Sequence, residues 1–508
     1  MKGERKMRKK ALFAAVFALL TLTSSALSSC SFVTVNFDNI FPYEGTFAET
    51  ETDSDGNIVT SADPVGGDTE DTDVKEHVYT GLDDAKAALS TVRGYDFGGV
   101  SLFINTTATD DIHILTSDFD DSAEIDENDY SAAVYERNRM VEEKLKCSIR
   151  YRQTTLTEMI ADIEAAVKDE AYYADLLCVG ANELATLAKE GCLYNLRSLP
   201  FFDTNKKYFN SSASKALSAG YYDYGVISTA TINPDNIYAM FVNLDKLEQV
   251  TDADVEARAA SGQWTWDRAI EIAKASSLSY AGSMGALADV IAASGGVRYV
   301  TNSHNKTPVS KYTATAEKAV ETARALASQS ELLLMGEAKL KESFMAGKTT
   351  LHIGKLTCMT SLAKADFDWT VVPMPKLTED QTSYRTYMAS STLAYAVPIT
   401  TTDTEGAGVL INALSAASYG YLRDTYVKYH MYNTVRMSTT LDMVELIWDT
   451  PYFDFAHTLG SVSDDIANGT YNVVREAAAD TELSAEKLFS KRSSAADKAL
   501  KKYYAPKW

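Results

Sequence analysis

The chain has 508 residues, of which 45% are hydrophobic and 10% aromatic, so it can bury the cores of two or three domains. Its formal charge is −22, and because residues 1–29 contribute a net +5, the remaining chain carries −27. A surface of that charge repels nucleic acid and anionic lipid, so neither is expected as a partner.

Residues 1–29 predict a bacterial lipoprotein signal. Six basic side chains lie within the first ten positions, and the apolar run 11–22 that follows is too short to span a bilayer. Leu-Ser-Ser at 27–29 precedes Cys30, in the pattern of the lipobox that signal peptidase II cleaves. We therefore expect export and a lipid on Cys30; the alternative is a plain signal peptide with an incidental cysteine. No later apolar run reaches the roughly 18–20 residues of a transmembrane helix, so the lipid is the expected membrane attachment.

Residues 30–85 predict an acidic, disordered tether. The stretch 44–76 contains eleven acids and one lysine among Thr, Ser and Gly. Low hydrophobicity and self-repelling charge keep such a segment extended, so it would hold the folded body away from the membrane.

The cysteines and histidines predict neither a disulfide framework nor a metal site. Four cysteines follow the lipobox, and we expect buried thiols, with their pairing left open, at Cys147, Cys178, Cys192 and Cys358. No CxxC, HExxH or similarly tight ligand spacing occurs, so we expect no metal ion and no other cofactor.

From about residue 98 the pattern alternates between strand and helix. Apolar runs and helical spacing predict, in order, strand 100–104, helix 130–145, strand 147–151, helix 155–167, strand 176–179 and helix 181–189. Repeated βα units predict a parallel sheet covered by helices on both faces.

Beyond residue 220 the pattern predicts a second region that the chain enters and leaves more than once. Extended stretches at 226–232 and 237–242 lead to a mostly helical section, 265–345. Strands are then predicted at 349–353, 369–372 and 393–397, before a final helical section from about 403 to 504. A helix-rich section between two sets of strands predicts two lobes joined by several crossings.

Residues 281–285, Ala-Gly-Ser-Met-Gly, form a variant of the nucleophile elbow of hydrolases. That turn needs an apolar strand running into the serine, here Ser283, and residues 275–280 do not predict one. We therefore expect no enzyme activity and nominate no catalytic residue.

Five landmarks occur between residues 98 and 420 in the order of a known family. They are DLL at 175–177 with LA at 187–188 and GCL at 191–193, then FVNLD at 241–245, TWD at 265–267, FMAGK at 344–348 and VPMP at 372–375. Together with the lipobox, they resemble the extracellular solute-binding proteins of ABC importers, specifically the sugar-binding family 1 of the maltose-binding type. The resemblance implies an α/β, periplasmic-binding-protein-like fold of type II, in which two lobes joined by a hinge close on a central cleft.

The same resemblance implies the domain boundaries. Lobe I is expected at 86–242 plus 368–420, and lobe II at 243–367 plus 421–508.

Ligand contacts are expected in loops at the carboxyl ends of strands, where open parallel sheets leave crevices. That rule and the family positions select six polar residues: Asn105, Thr106, Asn182, Glu183, Asp235 and Asn236. Amides and carboxylates suit sugars because each can engage two neighbouring hydroxyls, although helix capping is an equally compatible role for such residues.

Two aromatic positions of the maltose type are replaced, by Val179 and Lys355. Replacement rings are expected from Tyr387, Trp448 and Tyr452, because an aromatic face covers the C–H side of a sugar ring, although such rings also occur in cores. The expected ligand is therefore a sugar or oligosaccharide, without an assignment to malto-oligosaccharides.

The resemblance implies the lipid-anchored substrate-binding component of an ABC importer, on the outer face of the bacterial cytoplasmic membrane and exposed to the extracellular or periplasmic space. Its implied partners are a small solute such as a sugar, the permease subunits, and the membrane through the lipid on Cys30. The alternative is a cell-surface polysaccharide-binding or adhesion lipoprotein without a transport role.

Overall fold

The computed structural model describes residues 79–504 except 109–129, 211–212, 214–216, 220–221, 252–253, 302–305, 330–331, 363–364 and 432–437. The chain divides into two compact units, 1–73 and 74–508, and every described residue belongs to the second. The predicted signal 1–29, Cys30 and most of the predicted tether lie outside the described residues.

The described strands are β1 Ser101–Thr106, β2 Ser148–Gln153, β3 Leu176–Gly180, β4 Ser218–Ala219, β5 Tyr222–Asp223, β6 Tyr238–Asn243, β7 Leu278–Ala281, β8 Leu332–Met335, β9 Leu351–Lys355, β10 Trp369–Val372, β11 Thr386–Tyr387, β12 Leu393–Ala396 and β13 Pro451–Tyr452.

The described helices are α1 Gly81–Ser90, α2 Tyr130–Leu145, α3 Leu156–Asp169, α4 Leu184–Lys189, α5 Leu244–Leu247, α6 Val255–Ala260, α7 Trp266–Ala275, α8 Met284–Ser294, α9 Ala314–Ala327, α10 Glu337–Met345, α11 Cys358–Leu362, α12 Thr404–Ser418, α13 Tyr421–Met431, α14 Ser438–Asp449, α15 Ala456–Gly460, α16 Asp464–Asn468, α17 Tyr471–Ala479 and α18 Ala485–Tyr503. Helix α1 begins within the last residues of the predicted tether. Among the described helices, none combines the length and the apolar character that a bilayer crossing needs.

The first sheet has four strands in the order β12-β3-β1-β2. β1 is parallel to β2 and β3, as the repeated βα units predict, whereas β12 is antiparallel to β3. β3 is buried along its whole length, which explains its almost unbroken apolar sequence. Helix α3 begins at a capping box, in which the Thr155 hydroxyl accepts from the Glu158 amide while the Glu158 carboxylate accepts from the Thr155 amide.

The second sheet has five strands in the order β10-β6-β9-β7-β8. β7 is parallel to β8 and β9, whereas β6 is antiparallel to β9 and β10. Two tryptophans form part of its core: Trp264 donates from Nε1 to the Pro373 carbonyl at 3.0 Å, and Trp266 donates to Ser294 Oγ at 2.8 Å. The TWD and VPMP landmarks are therefore scaffold, since both tryptophans are fully buried.

Strand β7 corrects the sequence interpretation of residues 275–280. Ser279, which interrupts the apolar pattern, is fully buried, and its hydroxyl lies 3.3 Å from the Leu351 carbonyl and 2.9 Å from His352 Nδ1. A buried polar side chain costs little when it is hydrogen-bonded, so the strand forms without an all-apolar sequence.

Two chain segments cross between the sheets and bind each other. The first runs from Val226, which pairs with Tyr395 of the first sheet, to the start of β6. The second leaves β10, passes through β11 and enters β12. The Ala389 amide donates to the Asn236 carbonyl at 3.0 Å, and the Ser391 hydroxyl donates to Asn236 Oδ1 at 3.1 Å.

The sheet pairing differs from the predicted lobe boundaries at two strands. β6 and β10 hydrogen-bond within the second sheet, although the boundaries 86–242 and 368–420 assigned them almost entirely to lobe I. The crossings therefore begin before β6 and after β10.

The cysteines of the described residues form no disulfide. Cys147, Cys178 and Cys192 are buried thiols, as expected, whereas Cys358 is half-buried. Burial raises the pKa of the Cys147 thiol to about 11, so this thiol stays protonated at neutral pH.

Candidate functional site

The carboxyl ends of β1 and β3 lie side by side at one edge of the first sheet. The half-buried Glu183 carboxylate accepts hydrogen bonds from the Gly180 amide, at 2.9 Å, and from the Thr107 hydroxyl. Glu183 occupies the N-cap position of α4, but its side chain makes no capping hydrogen bond. Its carboxylate is therefore held in place by neighbours on two strand ends and has lone pairs left for a ligand.

Asn105 and Thr106 lie deeper than the sequence predicts. β1 continues through Thr106, and both side chains are fully buried. Thr106 Oγ1 accepts from the Ala108 amide at 3.0 Å. The accessible position after β1 is occupied by the half-buried Thr107 and not by Asn105 or Thr106.

Asn182 lies between the second crossing segment and the end of α15. Its backbone amide donates to the Ser390 carbonyl at 2.8 Å, and its backbone carbonyl accepts from Ser461 Oγ at 2.8 Å. The neighbouring Gly180 leaves room for the side chain, because a Cβ there would lie 2.5 Å from Asn182 Oδ1. Asn182 thus connects the edge of the first sheet with the second crossing segment and with the residue that follows α15.

Asp235 and Asn236 have different roles in the first crossing segment. Asp235, whose side chain is 42% exposed, pairs with Lys355 Nζ at 3.1 Å and accepts from the Thr357 hydroxyl at 3.2 Å. Asn236 is buried and ties the two crossing segments together. Asp235 is consequently the accessible member of the pair, and Lys355 serves as its counter-ion.

A group of three tyrosines lies at the edge of the second sheet. The Tyr387 ring is 5.3 Å from the Tyr238 ring at an interplanar angle of 58°. Burial raises the pKa of Tyr387 well above its ordinary value, and Asp289, Tyr280 and Tyr238 add to the effect, which places these groups near its hydroxyl. Of the three rings, the sequence identified only Tyr387. Tyr280 is buried and lies in β7, the strand that the sequence did not predict.

An ion pair adjoins the tyrosines. Arg475 of α17 donates from Nε to Asp289 Oδ2 of α8 at 2.6 Å, and its guanidinium lies 4.5 Å from the centre of the Tyr471 ring. Burial raises the pKa of Asp289 to about 6 against the opposing effect of Arg475. The Arg475 side chain is 38% exposed and that of Asp289 only 2%, so the guanidinium is the accessible partner. No sequence motif marked either residue.

A narrow crevice lies beside this ion pair, lined by residues that include Asp289, Tyr299, Tyr387, Ser390 and Tyr452. Its free space of about 10 Å³ corresponds to one water molecule. Asp289 Oδ1 and the Tyr299 hydroxyl are buried there without a hydrogen-bond partner among the described residues. The crevice therefore offers two polar atoms to a water or to a ligand hydroxyl.

The three predicted aromatic residues do not form one surface. Tyr387 and Tyr452 share the crevice, but the Tyr452 hydroxyl already donates to the Val297 carbonyl at 2.7 Å. Trp448 is buried, packs 5.7 Å from the Tyr426 ring, and lines a different, larger cavity. Tyr387 and Trp448 therefore line different cavities.

Ser283 is a helix cap in this structure. Its hydroxyl accepts from the Ala286 amide at 3.2 Å at the start of α8. His352 lies against Ser279 instead, and burial lowers its pKa to about 4. Within the described ranges, no three His, Cys, Asp or Glu side chains are grouped so that they could hold a metal ion.

Residues 139–426 match the family model of bacterial extracellular solute-binding proteins, which is more than half of the chain. No curated protein sequence matches the chain. Among solved structures, the cyclic α-maltosyl-1,6-maltose binding protein of Arthrobacter globiformis superimposes with a TM-score of 0.52 at 12% identity, covering 80% of this chain and 100% of that one. A cyclo/maltodextrin-binding protein complexed with maltotetraose gives 0.50 at 12% identity, covering 80% and 98%. At this identity the similarity shows the fold alone, and it confirms the predicted type II periplasmic-binding-protein architecture.

Proposed function

Given that the chain belongs to the bacterial extracellular solute-binding proteins, we propose that it captures a sugar or oligosaccharide between its two sheets for an ABC importer. The family consists of binding proteins, so the chemistry required of the site is recognition. Closure of the two lobes around the ligand would provide that recognition and present the loaded form to a permease.

The observation that supports this proposal most directly is that residues 387–392 contact both the edge of the first sheet at Asn182 and the edge of the second sheet at Tyr238. Asn182 of the first edge bonds to Ser390, whereas Tyr387 contacts Tyr238 and lies close to Asp289 at the second edge. One edge offers hydrogen-bonding oxygens, and the other offers rings and an accessible guanidinium. Hydroxyl-rich ligands with apolar C–H faces match that combination.

A carbohydrate other than a maltodextrin suits the site better. Val179 is fully buried in β3, and Lys355 is paired with Asp235, so neither position supplies a stacking ring. The half-buried Tyr238 and Tyr387 supply rings at another place, with the buried Tyr280 behind them. A different placement of the rings selects a different sugar geometry.

Anchoring and partners complete the proposal. Cleavage before Cys30 and lipidation of that cysteine would hold the protein on the outer face of the cytoplasmic membrane, with the acidic tether leading to the two lobes. Metabolic labelling with palmitate tests the anchor: wild type should incorporate the label and Cys30→Ala should not. Label on both proteins, or on neither, contradicts the anchor without touching the proposal for the ligand.

Ligand binding is tested by calorimetry on residues 30–508 carrying Cys30→Ser, with a panel of mono- and oligosaccharides. We expect at least one sugar to bind, Glu183→Gln and Tyr238→Ala to weaken its binding roughly tenfold each, and Lys168→Gln on exposed α3 to leave it unchanged. A panel without a binder, or equal affinity in all three variants, contradicts the proposed site.

Transport is tested separately by uptake of the bound sugar in cells that lack this chain. Loss of uptake supports the importer. Retained uptake with reduced attachment to polysaccharide supports an adhesion lipoprotein instead.

A further inference from the structure

A second, larger cavity of about 500 Å³ lies where the second crossing segment meets α14. Strand β13 contributes to both cavities, since Pro451 lines the larger one and Tyr452 the crevice beside the tyrosines. Three basic side chains line the larger cavity: Lys206, Lys207 and Arg385. In a protein with a formal charge of −22, a cavity with three cations is an exception to the overall charge.

Arg385 is the most constrained of the three cations. Burial lowers the pKa of its guanidinium, Tyr452 opposes that effect, and the charge of Arg298 adds to it. Gly296, at φ +72°, packs its backbone against this guanidinium, because a Cβ there would lie 2.7 Å from Arg385 Nε. A partly buried arginine next to a second arginine calls for a neighbouring negative charge.

The neighbouring acids do not supply that charge. Asp454 lies 4.0 Å from Arg298, which also donates to the Phe453 carbonyl at 2.6 Å. Asp449 is the one carboxylate among the described residues that line the cavity, and it lies 3.5 Å from Arg423. Within the described part of the chain, Arg385 forms no ion pair with an acidic side chain.

The rim of the cavity completes an anion-binding arrangement. Lys206 and Lys207 are exposed, and Lys207 Nζ lies 4.3 Å from the centre of the Tyr419 ring. Two exposed ammonium groups and one partly buried guanidinium resemble the way proteins hold oxyanions, with Arg as a planar donor and Lys as a point charge.

We propose that this cavity binds a small oxyanion of the phosphate class, with Arg385 as its principal donor and Lys206 and Lys207 as its electrostatic rim. The site is separate from the proposed sugar site, so it does not depend on the sugar proposal. The bound anion would neutralise Arg385, which forms no ion pair with an acidic side chain among the described residues.

Inorganic phosphate is the probe, added to residues 30–508 carrying Cys30→Ser and compared with sodium chloride at the same ionic strength. Phosphate should raise the melting temperature, with a stabilisation that grows with the logarithm of its concentration above Kd, and should give a saturable calorimetric signal. Arg385→Gln should weaken binding at least tenfold, and the double variant Lys206→Gln/Lys207→Gln should weaken it several-fold. Lys168→Gln is the matched control and should bind like wild type.

Equal stabilisation by phosphate and chloride overturns the proposal, because it indicates an adventitious ion only. Equal phosphate affinity in the arginine variant and the control also overturns it. If Arg385→Gln does not fold, the lysine double variant decides, since its side chains are exposed: unchanged affinity refutes the site, and weaker affinity supports it.

Discussion

The two edges that would meet a ligand are built in different ways. At the first sheet, Thr107, Asn182 and Glu183 follow directly on strands, and Glu183 is held by neighbours close in the sequence or on the adjacent strand. At the second sheet, Tyr238, Tyr280, Asp289 and Arg475 come from three parts of the chain: β6, the consecutive elements β7 and α8, and α17. The Glu183 carboxylate at the first edge is held by the turn after β3 and the end of the adjacent β1, whereas the second edge exists only when α8, α17 and the crossings are packed together.

This difference predicts that the second edge is the more sensitive to substitution. Arg475→Met removes the partner of a buried carboxylate, and this should cost about 1–2 kcal/mol of unfolding free energy at pH 7, since Asp289, with a pKa of about 6 beside Arg475, can take up a proton when the partner is lost. Chemical denaturation measures the loss. It should shrink at pH 5, because Asp289, with a pKa already about 6 beside Arg475, then accepts a proton and no longer leaves an unpaired charge.

Arg268→Met is the control for that substitution. Arg268 pairs with Glu271 on the surface of α7, where both side chains are largely exposed. Its replacement should leave the unfolding free energy nearly unchanged, because solvent screens an exposed pair. Equal losses for the two arginines would show that the ion pair of the second edge is no more important than a surface pair.

Acid should also act on the second sheet, through His352. Its folded pKa of about 4 lies below the ordinary 6.5, so between these values the unfolded chain binds a proton that the folded chain excludes. Stability from this group is therefore complete above pH 6.5 and is lost on acidification, by up to about 2 kcal/mol at pH 5. Unfolding curves from pH 7 to 5 should show a shallower loss in His352→Gln, and parallel slopes would contradict this assignment.

Replacing a glycine by alanine at each edge, Gly285 at the second and Gly180 at the first, tests how well each edge tolerates one added methyl group. A Cβ at Gly285 would lie 3.2 Å from Arg475 Cβ and 3.4 Å from its carbonyl oxygen, atoms that belong to or adjoin the backbone of α17. Gly285→Ala should therefore cost about 1–2 kcal/mol, because a helix must shift. Thermal unfolding measures this cost, and Gly94→Ala, which has no neighbouring atom within 4 Å, is the control.

Gly180→Ala should have the smallest effect on stability, below about 1 kcal/mol. The added Cβ meets the end of the Asn182 side chain, which can rotate away, and the alanine restricts the unfolded chain. Its effect should appear in sugar affinity instead, because Asn182 leaves its position. A stability loss as large as that of Gly285→Ala would show that the first edge is as rigid as the second.

The sequence predictions succeeded where a feature depends on residues close together in the chain and failed where it depends on distant contacts. The order of βα units, the strands β1 to β3 and the polar turn at Asn182 and Glu183 were predictable, because each depends on residues close together in the chain. The strand β7 was missed since its polar Ser279 finds partners on β9, which no local pattern shows. Asn105 and Thr106 were placed in a loop because the length of a strand depends on its neighbours in the sheet.

The sequence alone determined the α/β alternation and the resemblance to a solute-binding family, because hydrophobic periodicity and short motifs are local properties. It also predicts an export signal that ends before Cys30, which palmitate labelling tests. Only the tertiary structure decided that Arg475 pairs with Asp289, that Tyr387 and Tyr238 adjoin, and that Trp448 belongs to another cavity. These contacts join residues more than a hundred positions apart, and the two crossings that bring them together are set by the packing of the whole fold.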